Sequence, residues 1–283
     1  MSYLSAIFWD GNPIFFSIFS YDMHYYTLCF LAGFIVSYVV MLKVFHRENL
    51  AQELLDSLSI YIFIGTLLGA RLGHCLFYEF DYYKDHLLEM ILPIAKVEGS
   101  WKVTGFHGLA SHGGAIGILT GLFLFSRKYK MNFLWLADKL VIVVPAAGAL
   151  VRIGNFFNSE IIGLPADLPW SVIFARVDSL PRHPAQLYEA IAYIAIFIFM
   201  LTFYKRAKSL KRGYMLGIFM ILLFTVRFFV EFVKENQEAF EEGMTLNMGQ
   251  WLSIPFILAG LYLVFRKHPK VDQIPLNAKI AKR

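Results

Sequence analysis

The sequence predicts an all-α integral membrane protein with seven transmembrane helices, and three observations carry that prediction. Apolar residues make up 58% of the 283 positions, against roughly 45–50% in ordinary soluble domains. Charged residues are only 17%, and the mean hydropathy is +0.56. The apolar residues also gather into windows of the length a bilayer demands, about 20 residues. These windows run over approximately 26–45, 57–78, 108–125, 133–151, 186–204, 213–233 and 248–265. Blocks alternating with period two, the mark of a transmembrane β-barrel, are missing. With no inverted repeat and no low-complexity segment, residues 1–283 read as a single polytopic domain.

The basic residues predict an orientation. Numbering the segments outside the windows from one to eight, the even segments hold sixteen Lys and Arg and the odd ones seven. That asymmetry places the N-terminus outside and the C-terminus in the cytoplasm. It also accounts for the net charge of +5 without a nucleic-acid partner. The long loops at about 79–107 and 152–185 then lie outside. Residues 1–25 read as an interfacial N-terminal arm, because Phe8–Tyr21 carries Trp9, Phe15, Phe16 and Phe19 in an amphipathic stretch. The arm lacks a basic start and a small-residue cleavage site, so it is not read as a signal peptide. Cys29 and Cys75 fall inside apolar windows with no CxxC pair, which supports neither a disulfide framework nor a zinc site. No metal or organic cofactor is expected.

Ionisable groups at membrane depth cost at least a few kcal/mol each and therefore face a partner or a cavity. Arg71, His112, Asp138, Lys139, Arg152, Arg227 and Glu231 are such groups. By topology His112, Arg152, Arg227 and Glu231 all lie near the outer leaflet. Each has a plain structural reading. Arg227 and Glu231 are four apart and form a helix-face ion pair. Arg152 snorkels to headgroups, His112 packs as a donor, and Asp138 and Lys139 are helix-packing ions. Gly113, Gly114 and Gly117 serve close helix contact. The joint placement of cations and a His on one side of one membrane favours a site instead. In the stretch VRIGNFFNSEIIG (Val151–Gly163), Arg152, Asn155 and Ser159 fall on one helix face. Gly154 and Gly163 permit close backbone approach or a helix break. An Arg fork beside amide donors suits phosphate oxygens, and the abundant phosphates of an outer leaflet are lipid headgroups.

Those residues resemble the prolipoprotein diacylglyceryl transferase family, whose signature reads approximately G-R-x-G-N-F-x-N-x-E-x-x-G. Arg152 through Gly163 matches it from the second position onward; Val151 stands at the first Gly, and Leu164 follows where Arg is common. Further blocks agree in order: Tyr26, GARLG at Gly69–Gly73, HGGAIG at His112–Gly117 and RHPAQLYE at Arg182–Glu189. RFFVEF at Arg227–Phe232 and MGQWLSIP at Met248–Pro255 complete the set. The resemblance implies a multi-pass enzyme of the bacterial inner (cytoplasmic) membrane. Its implied partners are phosphatidylglycerol, the lipobox cysteine of a preprolipoprotein signal peptide, and membrane lipids. The diacylglyceryl group moves to the thiol, forming a thioether and releasing glycerol-1-phosphate.

Read onto this chain, the resemblance implies His112, Arg152, Arg227, Tyr26 and Asn155 as catalytic residues. Phosphatidylglycerol would be bound by Arg152, Asn155, Glu160, Gly163, Arg227 and Glu231. A thiol has a pKa of about 8.5 and benefits from a base or a cationic field, so His112 is the candidate base. Arg152 and Arg227 would hold the headgroup phosphate and the charge it gains on leaving. Asn155 and Tyr26 would orient glycerol or phosphate, Glu160 an Arg or the headgroup hydroxyls, and Glu231 would hold Arg227. Gly163 is a backbone requirement. His107 competes with His112. His183 and Arg71 stay open, Arg71 between a second lipid phosphate and packing. Leu223 stands where a tyrosine is frequent one turn before the Arg of the sixth window. The competing function is a phospholipid or solute transporter, which paired discontinuous spans would favour. An intramembrane protease would need HExxH, paired Asp or a Ser–His arrangement, and none is evident.

Overall fold

The computed structural model describes residues 6–18, 21–92, 94–97, 99–103, 108–207, 210–236, 241 and 243–267. In chain order its elements begin with strands β1 (Ile7–Trp9), β2 (Ile14–Ile18) and β3 (Tyr21–His24), followed by helices α1 (Tyr25–Arg47) and α2 (Gln52–Phe77). Two short helices, α3 (Phe80–Tyr83) and α4 (Leu87–Ile91), lead into the hairpin β4 (Ile94–Val97) and β5 (Ser100–Val103). Then come α5 (Ser111–Lys128), α6 (Phe133–Leu140), α7 (Val144–Asn158), β6 (Val172–Phe174) and β7 (Pro181–Arg182). The chain ends with α8 (Ala185–Arg206), α9 (Tyr214–Val230), a 3-10 turn at Glu231–Val233, and α10 (Met248–Phe265).

This is a mostly helical integral membrane protein. Among the described residues, five helices are long and apolar enough to cross a membrane, namely α1, α2, α8, α9 with its 3-10 turn, and α10. The pair α6–α7 makes a sixth if counted as one span. The window at 108–125 forms α5 but is not among them: it opens on Ser111-His-Gly-Gly and closes on Arg127–Lys128. The window at 133–151 departs further from expectation. It is bent by 48° between α6 and α7, and its helix runs on to Asn158. Pro145, in the first turn of α7, has no N–H to offer Val141, which removes a helical hydrogen bond at the bend and suits the start of a new helix. It is the single such break among the described helices. Asp138 turns out to be a cap. Its carboxylate accepts the backbone N–H of Gly213 at 2.6 Å and of Leu216 at 2.9 Å, at the unsatisfied N-terminus of α9. Lys139 lies 4.5 Å from the ring centre of Tyr204.

The chain divides into two compact units, one comprising residues up to Met41 and from Ala137 onward, the other Leu42–Leu136. In the second unit α2 packs on α5 through a glycine seam. Gly65, Gly69 and Gly73 recur every fourth residue on α2, and Gly113, Gly117 and Gly121 on α5. A Cβ on any of the six would run into backbone of the other helix. Gly114 faces Ala70 and Thr66 instead, with ordinary clearance of 3.6 Å and more. Gly117→Leu is therefore expected to cost about 1–3 kcal/mol or more by overpacking. Gly114→Ala should be neutral or slightly stabilising through helix propensity. Denaturation in mild detergent checks both, and equal effects would show the seam to be uninvolved.

Arg71 of the second unit is a brace. Only 4% exposed, it donates to the Glu89 carbonyl at 2.6 Å and to Tyr83 Oη at 3.1 Å, with its guanidinium 4.7 Å from the Tyr83 ring centre. It thereby ties α2 to the α3–α4 segment, which is the packing alternative of its two readings. Glu89 also accepts from Tyr82 Oη at 2.9 Å, which pushes the Tyr82 hydroxyl pKa up.

The described part of the 1–25 arm forms strands. β2 and β3 make an antiparallel hairpin, and β1 pairs in parallel with β6, which pairs antiparallel with β7. β1, β2 and β6 are rich in aromatic and β-branched residues (IFW, IFFSI and VIF), which suits pleated pairing, and Asn12 Oδ1 caps the turn by accepting from Ile14 N at 2.9 Å. Trp9 packs on Ile162, Val172, Phe174 and Phe156. Phe19 lies outside the described residues.

Candidate functional site

Five charged side chains of the first unit, four on helical elements and Lys234 just past the last of them, meet in one cluster. Arg152 on α7 has its Nε 2.8 Å from Glu189 Oε2 on α8, off the N–H axis, so the pair is ionic in character. Glu189 is fully buried, and its other oxygen receives Tyr193 Oη at 3.2 Å and Lys234 Nζ at 3.4 Å. Lys234 donates in turn to Glu231 Oε1 at 3.1 Å. Glu231 Oε1 lies 3.8 Å from Arg227 Nη2, beyond hydrogen-bond length. The order is Arg152, Glu189, Lys234, Glu231, Arg227: cations and carboxylates alternate, with one cation in excess. Buried charges of this kind are tolerated only when paired.

The ends of this chain of charges are its accessible part. The Arg227 side chain is 26% exposed and that of Arg152 14%, while Lys234 is 1%. Among the described residues Arg227 has no carboxylate within hydrogen-bond reach, which leaves its planar fork of donors for an anion.

The signature segment is built around Arg152. Arg152 Nη1 donates to Asn155 Oδ1 at 3.4 Å, and Asn155 Nδ2 donates to Glu160 Oε2 at 3.0 Å. The Asn155 amide thus relays between a cation and a carboxylate. Asn158 Nδ2 donates to the other Glu160 oxygen at 3.0 Å, so Glu160 orients amides rather than an Arg directly. Gln186 donates to the Glu160 carbonyl at 2.5 Å. Ser159 leaves the expected face. It ends α7 in the left-handed region (φ 56°), and its hydroxyl accepts from Arg176 at 2.9 Å. Ile161 also sits at φ 57°, a strained conformation for a β-branched residue.

The glycines of the signature mark close approaches. A Cβ on Gly154 would lie 2.9 Å from Tyr26 Cδ2 and 3.1 Å from its Cα, so Tyr26 rests directly on α7. A Cβ on Gly163 would lie 2.5 Å from His183 Cβ and 2.6 Å from the Val233 carbonyl. Gly163 is wedged between two chain segments and bridges Lys234, with Leu164 N donating to Val233 O at 2.8 Å and Glu235 N to Ile162 O at 3.2 Å. Arg182 closes the same junction by donating to the Gly163 carbonyl at 3.1 Å while paired with Asp178. Its guanidinium holds the Asp178 carboxyl below the usual range. His183 Nδ1 lies 3.1 Å from Tyr188 Oη, which accepts from Trp170 Nε1 at 2.9 Å. Trp9, Phe156, Phe157 and Tyr25 form an aromatic group behind the segment, Tyr25 stacking on Phe157 at 4.6 Å.

Glu231 is closer to Lys234 than to Arg227, so holding Arg227 is only part of its role. Its carboxylate lies over the first turn of α10, where Asn247 Nδ2 reaches Oε2 at 3.4 Å and a Cβ on Gly249 would collide with it. The amino end of a helix favours an anion there, and Asn247 with Gln250 closes a capping box on that helix.

Of the expected site residues, Tyr26, Arg152, Asn155, Glu160, Gly163, Arg227 and Glu231 all belong to the first unit. His112 is carried by the second unit, exposed on the first turn of α5. His107 lies outside the described residues. Glu189, Tyr193 and Lys234 are central to the cluster and Gln186 supports the Glu160 backbone, and none of the four was among the expected site residues. For the three on α8 the signal was the spacing Gln186–Glu189–Tyr193, three then four residues apart, which lines polar groups along one face of an apolar helix.

The whole cluster falls within residues 13–266, which match the family model of prolipoprotein diacylglyceryl transferase. A phosphatidylglycerol–prolipoprotein diacylglyceryl transferase of Bacteroides fragilis is 47% identical over 264 residues, covering 93% of this chain and 95% of that protein. Proteins of the same name from Tolumonas auensis and Chloroherpeton thalassium are 45% and 43% identical, over 91% and 93% of this chain and 96% and 94% of their own. A charged cluster of this kind, in a chain matched from before Tyr26 to beyond Gln250, leaves one assignment: the chain belongs to the prolipoprotein diacylglyceryl transferase family.

Proposed function

We propose that this chain transfers the diacylglyceryl group of phosphatidylglycerol to the lipobox cysteine of a preprolipoprotein, in lipoprotein maturation at the bacterial inner membrane. The observation that carries the reading is the alternating cluster ending in two accessible guanidinium forks, Arg152 and Arg227. The thiol loses its proton to a base, for which His112 is the candidate. The sulfur attacks the glycerol carbon bearing the phosphate oxygen, a C–S bond forms, and the C–O bond breaks. The electron pair and the negative charge leave with glycerol-1-phosphate. The headgroup carries one negative charge before the reaction and gains another as the bond breaks. Donors fixed in place by Glu189 and Asn155 stabilise that gain without reorganising. Tyr26, Glu160 and Gly163 shape the same wall.

The reading includes seven spans, with α5 and the broken α6–α7 pair each crossing once. The N-terminus is outside, the C-terminus is cytoplasmic, and residues 1–25 lie at the outer interface. The acceptor cysteine then meets the site on the side where its signal peptide emerges. Incubating the purified protein with phosphatidylglycerol and a lipobox peptide should add the diacylglyceryl mass to the peptide and release glycerol phosphate in equal amount. His112→Gln should lower turnover by about 10²–10⁴-fold, the usual worth of a general base. No adduct in any lipid or detergent condition would sink the reading, and full activity in the variant would remove His112 from it.

A further inference from the structure

The ammonium of Lys234 is the centre of the cluster, yet it reaches neither the surface nor the signature's polar side chains. A lysine just past a membrane helix ordinarily turns its head to water. Here the main chain forbids that. Lys234 is bridged to Gly163, and its neighbours Val233 and Glu235 are hydrogen-bonded to Leu164 and Ile162. The side chain is left 1% exposed and aimed at two carboxylates. Three donors on one compact nitrogen allow it to serve both. Glu189 comes from α8 and Glu231 from the 3-10 turn after α9, and each also faces one of the two arginines. Without the ammonium, the two buried carboxylates would lose the cation they share, and each would move with its own arginine.

We propose that Lys234 is a positioning residue, setting the separation of the Arg152 and Arg227 forks by clamping their carboxylate partners, so that both close on one phosphate group of the donor lipid. This rests on the reading that Arg152 and Arg227 hold that phosphate. Lys234 itself touches no reacting atom. It acts through Glu189 and Glu231, and its replacement alters how the lipid is held rather than which bonds are made.

The test is the KM for phosphatidylglycerol in mixed micelles, measured on the wild type, Lys234→Met, Lys234→Arg and the double variant Lys234→Met with Glu189→Gln. The methionine variant should raise KM by about tenfold or more, since a misplacement of about 1 Å is costly in an oriented site. The arginine variant, which restores a buried cation, should return KM to within about threefold of wild type. The double variant rebalances charge and protects folding but lacks the clamp, so its KM should stay raised. A purely structural role would lower the yield of active protein and leave KM unchanged. Wild-type KM in Lys234→Met, or in the double variant where the single one does not fold, would overturn the clamp. A wild type that transfers nothing to the peptide would be the failure of the functional reading instead, and it is seen before any variant is made.

Discussion

Arg152→Ala is expected to lower kcat/KM for the lipid donor by on the order of a thousandfold, the upper range for removing one preorganised donor from a developing anion. The structure raises this above an ordinary loss of charge because Arg152 has a fixed orientation. Its Nε side is held by Glu189 at 2.8 Å, and Nη1 contacts Asn155 at 3.4 Å. A lysine has a single ammonium and cannot occupy both positions while also facing a ligand. Arg152→Lys should therefore lose at least about tenfold, although its charge is unchanged. Folding should survive, because Glu189 keeps Lys234 as a partner. Peptide mass shift against time reads out both variants. Near wild-type kcat/KM in the alanine variant would take Arg152 out of the mechanism, and equal activity of lysine and arginine would show that only charge matters.

Hydropathy made most of the helices legible, because lipid requires long apolar runs and leaves few alternatives. The windows near 26–45, 186–204 and 248–265 differ from α1, α8 and α10 by at most two residues at either end. What hydropathy averages away was lost. The break after Leu140 leaves mean hydropathy untouched, and only Pro145 announced it. Glu189 was legible only as the end of the block RHPAQLYE, and Lys234, past the end of its apolar window, gave no sign that its neighbours hold it inside. The signature residues were legible because polar side chains at the end of an apolar segment are costly without a purpose. Their partners were not, since the contacts Arg152–Glu189 and Glu189–Lys234 join positions 37 and 45 residues apart in the chain. The strand pairing of the arm was not legible, because an aromatic-rich stretch suits a membrane surface whatever its local structure, and its partner β6 lies far along the chain.

Glu189→Leu should be the most destabilising single change in the cluster. The carboxylate is fully buried, is paired with Arg152 and Lys234, and accepts the Tyr193 hydroxyl. An apolar replacement leaves Arg152 without its carboxylate, while Lys234 retains Glu231. Breaking a buried pair from one side typically costs about 3–5 kcal/mol, because the remaining charge is left uncompensated. Glu189→Gln should cost less: the amide oxygen still accepts from Lys234 or Tyr193, and only the charge is lost. The comparison separates charge from shape, since leucine and glutamine fill similar space. Denaturant midpoints in mild detergent measure both. If leucine proved as stable as wild type, the interior would be wet enough to screen Arg152, and the cluster would be a solvated surface rather than a preorganised anion site. If glutamine were as damaging as leucine, the ionised carboxylate itself would be what the fold requires. The alternation of charge from Arg152 to Arg227 would then be a condition of folding as well as of catalysis.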